Sequence, residues 1–217
     1  MKNNIIVLDT ETGGLKSDKN PITQVGLSVI EPIHFDEISS FNTFVQPYDD
    51  LIIEQAALDA SRVTMKQIND GVDVTVLIKK LIAVFKEATG KGRISKPILC
   101  GHNLGFDLRF LNYLFSSRNQ DLYEYIDTFH YDTQRLFSHL EAQQKGADKL
   151  KYNLTNLSER YGIQLSSAHG AMADVKATKQ LLIIYLNKSR NAAQDNGNVE
   201  DTGTVKRKAR ERVLLEF

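Results

Sequence analysis

Three short stretches carry residue types and spacings suited to chemistry. In IIVLDTETGG (5–14), four apolar residues run into Asp9, with Glu11 two positions on. An extended chain repeats every two residues, so the two carboxylates share one side and repel unless something positive sits between them. In CGHNLGFDLRFL (100–111), an apolar strand ends at Gly101-His102-Asn103, and Asp107 falls in the first turn of the helix that follows. In HGAMADVKAT (169–178), His169 at a loop end stands five residues before Asp174, which falls in the first turns of the last helix. Each stretch taken singly has a plain account. Asp, Thr and Gly are common turn residues, and a carboxylate at a helix start adds roughly a few tenths of a kcal/mol. To bind metal, Asp9 and Glu11 need partners, and the two later stretches supply them.

The elements that must position these residues follow from hydrophobic spacing. After the first strand, ITQVGLSVI (22–30) and ISSFNTFVQP (38–47) read as two more strands, joined by turn chemistry in an antiparallel meander. Helical spacing takes over from Glu54 to Met65 and from Thr75 to Ala88, where Leu77, Leu81 and Phe85 build an apolar stripe. PILCGHN (97–103) reads as a short buried strand and LGFDLRFLNYLF (104–115) as a helix. From Tyr123 the chain reads as a short connection and then a helix to Leu140, with Asp132-Thr133 at its N-cap. LKYNLTNLSERYGI (150–163) reads as a helix ended by Gly162, and residues 171–189 as the last amphipathic helix. Strands first, then helices alternating with another strand, indicate a mixed α/β domain with helices covering a sheet.

The combination D-x-E, then H-N-x-x-F-D, then H-x-x-x-x-D resembles the three exonuclease motifs of the DnaQ-like 3′–5′ exonucleases, DEDDh subgroup. The resemblance covers roughly residues 3–187 and includes the Asp132-Thr133 pair, the NLTNLSERYGI segment and the order of elements. It implies a ribonuclease H-like fold: a mixed five-stranded sheet, antiparallel meander plus parallel strands, flanked by helices. It further implies that Asp9, Glu11, Asp107 and Asp174 hold two Mg²⁺ or Mn²⁺ ions and that His169 is the general base. The chemistry of these groups agrees. Hard oxygen ligands suit Mg²⁺ or Mn²⁺ rather than zinc, and four desolvated carboxylates are tolerable only with cations between them. A histidine, with an unperturbed pKa of about 6.5, suits proton acceptance near neutral pH. The implied reaction is hydrolysis of the 3′-terminal phosphodiester of single-stranded DNA, releasing nucleoside 5′-monophosphates, as in a polymerase proofreading subunit. An exoribonuclease trimming RNA 3′ ends, as ribonuclease T-like relatives do, shares the same motifs. A non-catalytic module holding 3′ ends or a partner would be expected to lack one of the five residues, and all are present.

The substrate-facing expectations attach to neighbours of the acids. Gly13 and Gly14 would let the backbone approach the 3′ end, and Leu15 would wedge against the terminal bases as its counterpart does in the family. Asn103 and Phe106 would line the strand channel, Phe106 by stacking or by packing beneath Asp107. His102 reads as a structural histidine at a strand end, while His34, His130 and His139 read as exposed or structural. Cys100, inside an apolar strand, reads as a buried small residue.

Composition sets outer bounds. The 217 residues suit one well-packed domain with a tail, and 27 Lys+Arg balance 27 Asp+Glu. The single cysteine excludes an internal disulfide and a cysteine-based zinc site, and fits a reducing compartment. No apolar run approaches the roughly 18 residues of a membrane span, and the N-terminus is too short and too acidic for a signal peptide, so the expected location is cytoplasmic, with no membrane partner. The domain is expected over 1–187, a flexible polar linker over 188–205 and a basic then apolar tail over 206–217. Residues 188–217 hold 7 of the Lys+Arg and 5 of the Asp+Glu, leaving the body slightly acidic. Family members often carry C-terminal tails that reach a DNA polymerase or sliding clamp, which makes RVLLEF a candidate docking peptide.

Overall fold

The apolar run that opens the chain becomes the middle of a sheet. The computed structural model describes residues 3–89, 95–142, 146–165 and 170–197. Strand β1 (Ile5–Thr12) pairs antiparallel with β2 (Ile22–Ile30), which pairs antiparallel with β3 (Glu37–Phe44). On its other side β1 pairs parallel with β4 (Ile98–Gly101), and β4 with β5 (His130–Asp132). The order β3-β2-β1-β4-β5 is the mixed five-stranded sheet expected from the motifs. Ile5 to Leu8 are fully buried, as a strand covered on both faces requires.

Helices α1 (Gln55–Ser61), α2 (Met65–Asn69) and α3 (Val74–Ala88) follow β3. Then α4 (Gly105–Ser116) leaves β4, and α5 (Thr133–Glu141), α6 (Leu154–Arg160) and α7 (Ala171–Gly197) complete the described chain. Ile6, Leu8 and Leu27 join Leu77, Leu81 and Phe85 of α3 and Phe110 and Leu114 of α4 in the main core. A smaller cluster joins Phe137 of α5, Leu157 of α6 and Ala177 and Leu181 of α7. Contacts divide the chain into Met1–Tyr185 and Leu186–Phe217. Among the described residues no helix is long and apolar enough to cross a membrane.

Several boundaries differ from the expectation, each for a local reason. β1 does not stop at the carboxylates; pairing with β2 continues through Asp9↔Gly26 and Glu11↔Gln24, with an irregularity only at Glu11/Thr12. The helix expected over 54–65 breaks at Arg62, which is left-handed (φ 59°), and Thr64 then restarts the chain with a capping box to Gln67. The expected connection after Tyr123 contains β5, whose three residues are too few to show a period. The helix expected over 150–163 begins only at Leu154, where Asn153 caps it. The last helix continues to Gly197, so the first ten residues of the expected linker, 188–197, are helical. No proline or earlier glycine interrupts that stretch. The remainder of the linker and the tail 206–217 lie outside the described residues.

One close approach decides where α7 begins. Antiparallel partners present side chains to the same face, so Gln24 and Gly26 lie on the face that carries Glu11 and Asp9. A Cβ on Gly26 would fall 2.8 Å from the backbone of Ala171 and Met172, so only glycine lets α7 start directly over β2. Gln24, buried, accepts a bond from the Ala171 amide through Oε1 (3.3 Å) and donates through Nε2 to Asn42 Oδ1 (2.9 Å). Gly26→Ala should therefore lower unfolding stability by about 1–3 kcal/mol, the usual cost of overpacking, and push the start of α7 outward. Calorimetry showing unchanged stability would mean that α7 yields freely at this point.

Candidate active site

The four predicted carboxylates come from three elements that meet at the carboxyl end of β1. Asp9 and Glu11 project from the face of β1 over which α7 starts, and Asp174 lies in the first turn of α7. Asp107 sits in the first turn of α4, whose apolar side packs on the main core. It reaches the site across the edge of β1. The pairing of β1 with β4 covers only Ile5, Ile6 and Val7, so that edge is released from Leu8 onward. Asp107 takes up the released edge: its Oδ1 accepts from the Thr10 amide (2.9 Å) and from Thr10 Oγ1 (2.7 Å). A backbone N–H that would otherwise be orphaned is satisfied, and a carboxylate is locked beside Asp9.

The electrostatics record the crowding. Burial, and then the carboxylates of Asp107, Asp174 and Glu11, hold the pKa of Asp9 well above the usual range. Burial, with Asp174 and Asp107 adding to it, pushes Glu11 up to about 7. Burial also raises Asp107 to about 7, against the opposing pull of its two bonds from Thr10. An all-oxygen, all-anionic set of this kind fits hard divalent cations, whose charge removes the repulsion that protonation otherwise relieves. Among the described residues no three His, Cys, Asp or Glu side chains are already drawn together as a closed ligand set. The four acids are gathered into one electrostatic neighbourhood rather than clamped.

Beside them lies a cavity of about 430 Å³. Glu11 and Asp174 are among its lining residues, while Leu15, Phe106, Ala57 and Ala60 supply apolar wall. Of the expected substrate contacts, Gly14, Leu15 and Phe106 line this space, and Leu15 is 77% exposed. Phe106 also packs on the core and against the Phe110 ring (4.9 Å between centroids). Gly13 and Asn103 are not in the lining. Gly13 is packed against Pro21 and Ile53, and Asn103 is exposed in a left-handed conformation (φ 58°) at the β4–α4 junction. His169 lies outside the described residues, one position before Gly170.

His102 behaves as the structural histidine expected. Its Nδ1 meets Thr133 Oγ1 at 2.9 Å, and burial pushes its pKa down. Spacing alone did not reveal the supports. Thr10 stood between the two acids as an apparent turn residue. Asp132 was legible as a cap of α5, yet its Oδ1 also accepts the Asn103 amide (3.0 Å), tying the β4–α4 junction to α5. The raised carboxyl pKa values predict a stability profile. A carboxyl with a higher pKa folded than unfolded binds more protons in the fold, so stability falls as pH rises from roughly 4 towards 7. In EDTA, thermal unfolding between pH 5 and 8 should show this decline. Glu11→Gln should flatten it, and Mg²⁺ should reverse it most at the high-pH end; a metal-independent profile would contradict the fit.

The sequence matches the family described as Exonuclease (RNase_T) over residues 6–182. It is 30% identical over 178 residues to a DNA polymerase III PolC-type from Latilactobacillus sakei, covering 82% of this chain and 11% of that protein. A DNA polymerase III PolC-type from Caldanaerobacter subterraneus subsp. tengcongensis is 26% identical over 191 residues, 87% of this chain and 12% of that one. The chain thus spans about a tenth of the length of these relatives. Among solved structures, E. coli Exonuclease I bound to an oligonucleotide superposes with a TM-score of 0.73 at 21% identity, over 90% of this chain and 43% of that one. A zinc-bound form of the Exonuclease I complex with single-stranded DNA gives 0.73 at 20% identity, over 91% and 43%. With the family match spanning most of the sequence and the sheet order agreeing, the chain belongs to the exonuclease family, with a DnaQ-like, ribonuclease H-like fold.

Proposed function

We propose that the protein removes nucleotides one at a time from the 3′ end of single-stranded DNA, in the service of a DNA polymerase. The observation that carries this reading is the gathering of four carboxylates from β1, α4 and α7 beside an apolar-walled cavity. Asp9, Glu11, Asp107 and Asp174 would hold two Mg²⁺ or Mn²⁺ ions, which when bound supply Lewis-acid stabilisation of the charge on the reacting phosphate. His169 accepts a proton from the attacking water. The water oxygen bonds to phosphorus, the bond from phosphorus to O3′ of the penultimate nucleotide breaks, and that oxygen takes a proton from solvent to become the 3′-hydroxyl of the shortened strand. The product is a nucleoside 5′-monophosphate. Leu15 and Phe106 hold the terminal nucleotide by apolar contact, which tolerates every base because each has a π-face.

The DNA preference and the replication setting draw on relatives named as DNA polymerases and on structural neighbours bound to DNA oligonucleotides. The tail 206–217 is the segment proposed to reach the polymerase or its clamp. The test is digestion of 5′-labelled single-stranded DNA and RNA of equal sequence with Mg²⁺ or EDTA. A ladder from DNA that EDTA and Asp9→Ala abolish is expected. A ladder from RNA alone would move the substrate class to RNA, and no ladder from either would sink the reading. His169→Ala should reduce the rate by at least about 10²-fold, the loss typical of a general base; a near-wild-type rate would remove His169 from the chemistry.

A further inference from the structure

The cavity has two walls from separate stretches of chain, and one buried side chain joins them. Leu15 and Gly14 belong to the loop between β1 and β2. Ala57 and Ala60 belong to α1, which is entered through residues 51–54. Asn20, 1% exposed, lies between the two. Its Oδ1 accepts from the Lys16 amide (3.0 Å), one residue beyond Leu15. Its Nδ2 faces the carbonyl of Ile52 (2.9 Å), the carboxylate of Glu54 (Oε1, 3.0 Å) and, more distantly, the carbonyl of Gly13 (3.4 Å). The loop rests directly on this amide, since a Cβ on Gly14 would fall 2.5 Å from Asn20 Cγ. Backbone bonds run alongside, from the Ile52 amide to the Lys19 carbonyl (2.8 Å) and from the Glu54 amide to the Gly13 carbonyl (2.7 Å). They fix the strands of chain to each other. Within the loop, Thr12 Oγ1 donates to the Gly14 carbonyl (2.7 Å), and the backbone amides of Lys19 and Asn20 donate to the Lys16 carbonyl (3.0 and 2.8 Å). The Asn20 side chain adds one buried group that ties the Lys16 amide, just beyond Leu15, to the approach to α1.

We propose that Asn20 is a positioning residue for the substrate, setting the gap between Leu15 and the α1 wall into which the base of the 3′-terminal nucleotide stacks. The inference rests on the exonuclease reading above and extends it. A leucine left 77% exposed is held little by its own packing, so its position follows from the loop that carries it, to which the buried Asn20 amide is bonded at Lys16. None of the bonds from Asn20 reaches Asp9, Glu11, Asp107 or Asp174, so loosening the amide alters the grip on the base while the reacting end keeps its geometry. Asn20→Asp keeps the acceptor for Lys16 but exchanges the donors for a second carboxylate beside Glu54. That leaves the Ile52 carbonyl unpaired and sets two like charges together.

The experiment measures kcat and KM on single-stranded DNA ending in an ordinary or an abasic 3′ nucleotide. Asn20→Asp should raise KM about tenfold on ordinary ends, within the range set by one lost base stack, and leave kcat within about twofold. On abasic ends, which have no base to stack, KM should not move. In a Leu15→Ala background the Asn20 substitution should add little, because it acts through Leu15. Adding Glu54→Gln to Asn20→Asp should recover part of the loss, since the new amide at 54 donates to the new carboxylate at 20. An equal rise in KM on abasic ends, a fall in kcat, or additivity with Leu15→Ala would overturn the proposal and leave Asn20 a stability residue. Anisotropy with the same two labelled oligonucleotides reads the contrast without turnover, so an inactive wild type would defeat the exonuclease reading while the role of Asn20 was still decided.

Discussion

Four carboxylates crowded at one end of one strand repel each other, and the rest of the architecture exists in tension with that repulsion. The link that holds them is the pair of bonds from Thr10 to Asp107, 97 residues away in sequence. They form because β4 pairs with β1 for only three residues and then turns into α4. A longer β4 would have filled the edge of β1 with backbone and closed the site. The carboxyl end of a strand where its neighbour departs is the usual place for a ligand crevice in α/β sheets, and here the departing chain itself delivers the third acid.

The other half of the site depends on absence of a side chain. Asp9 lies opposite Gly26, and the missing Cβ lets the first turn of α7 descend onto the sheet, where Gln24 receives its leading amide. Asp174 thereby shares a face with Asp9 and Glu11. Packing of α3 and α4 on the opposite face makes the sheet rigid enough to support both arrangements. Burial pushes the pKa values of Glu11 and Asp107 up, with the neighbouring carboxylates adding to it at Glu11, a stability cost retained where function needs concentrated charge.

Much of this was legible in local pattern. The period of two placed Asp9 and Glu11 on one side. The apolar run announced a strand buried on both faces, and Asp132-Thr133 announced the start of α5. Where the reading missed, the signal was short or non-local. β5 has three residues, and the break at Arg62 is a single left-handed residue inside a helical pattern. Helix α7 outlasts its apolar stripe because polar residues without proline or glycine also propagate a helix.

By itself the sequence determined the element types and the approximate order of strands and helices, because these rest on spacing within about a dozen residues, and it offered the four acids as candidates through three motifs taken together. Only the tertiary structure decided which residues support them. Thr10 holds Asp107, Gly26 and Gln24 seat α7, and Asn20 braces Leu15 against α1. The physical reason is the same each time. A hydrogen bond or a close backbone approach between distant segments is set by register and sheet order, and a residue such as Thr, Gly, Gln or Asn carries no local mark of the partner it will meet.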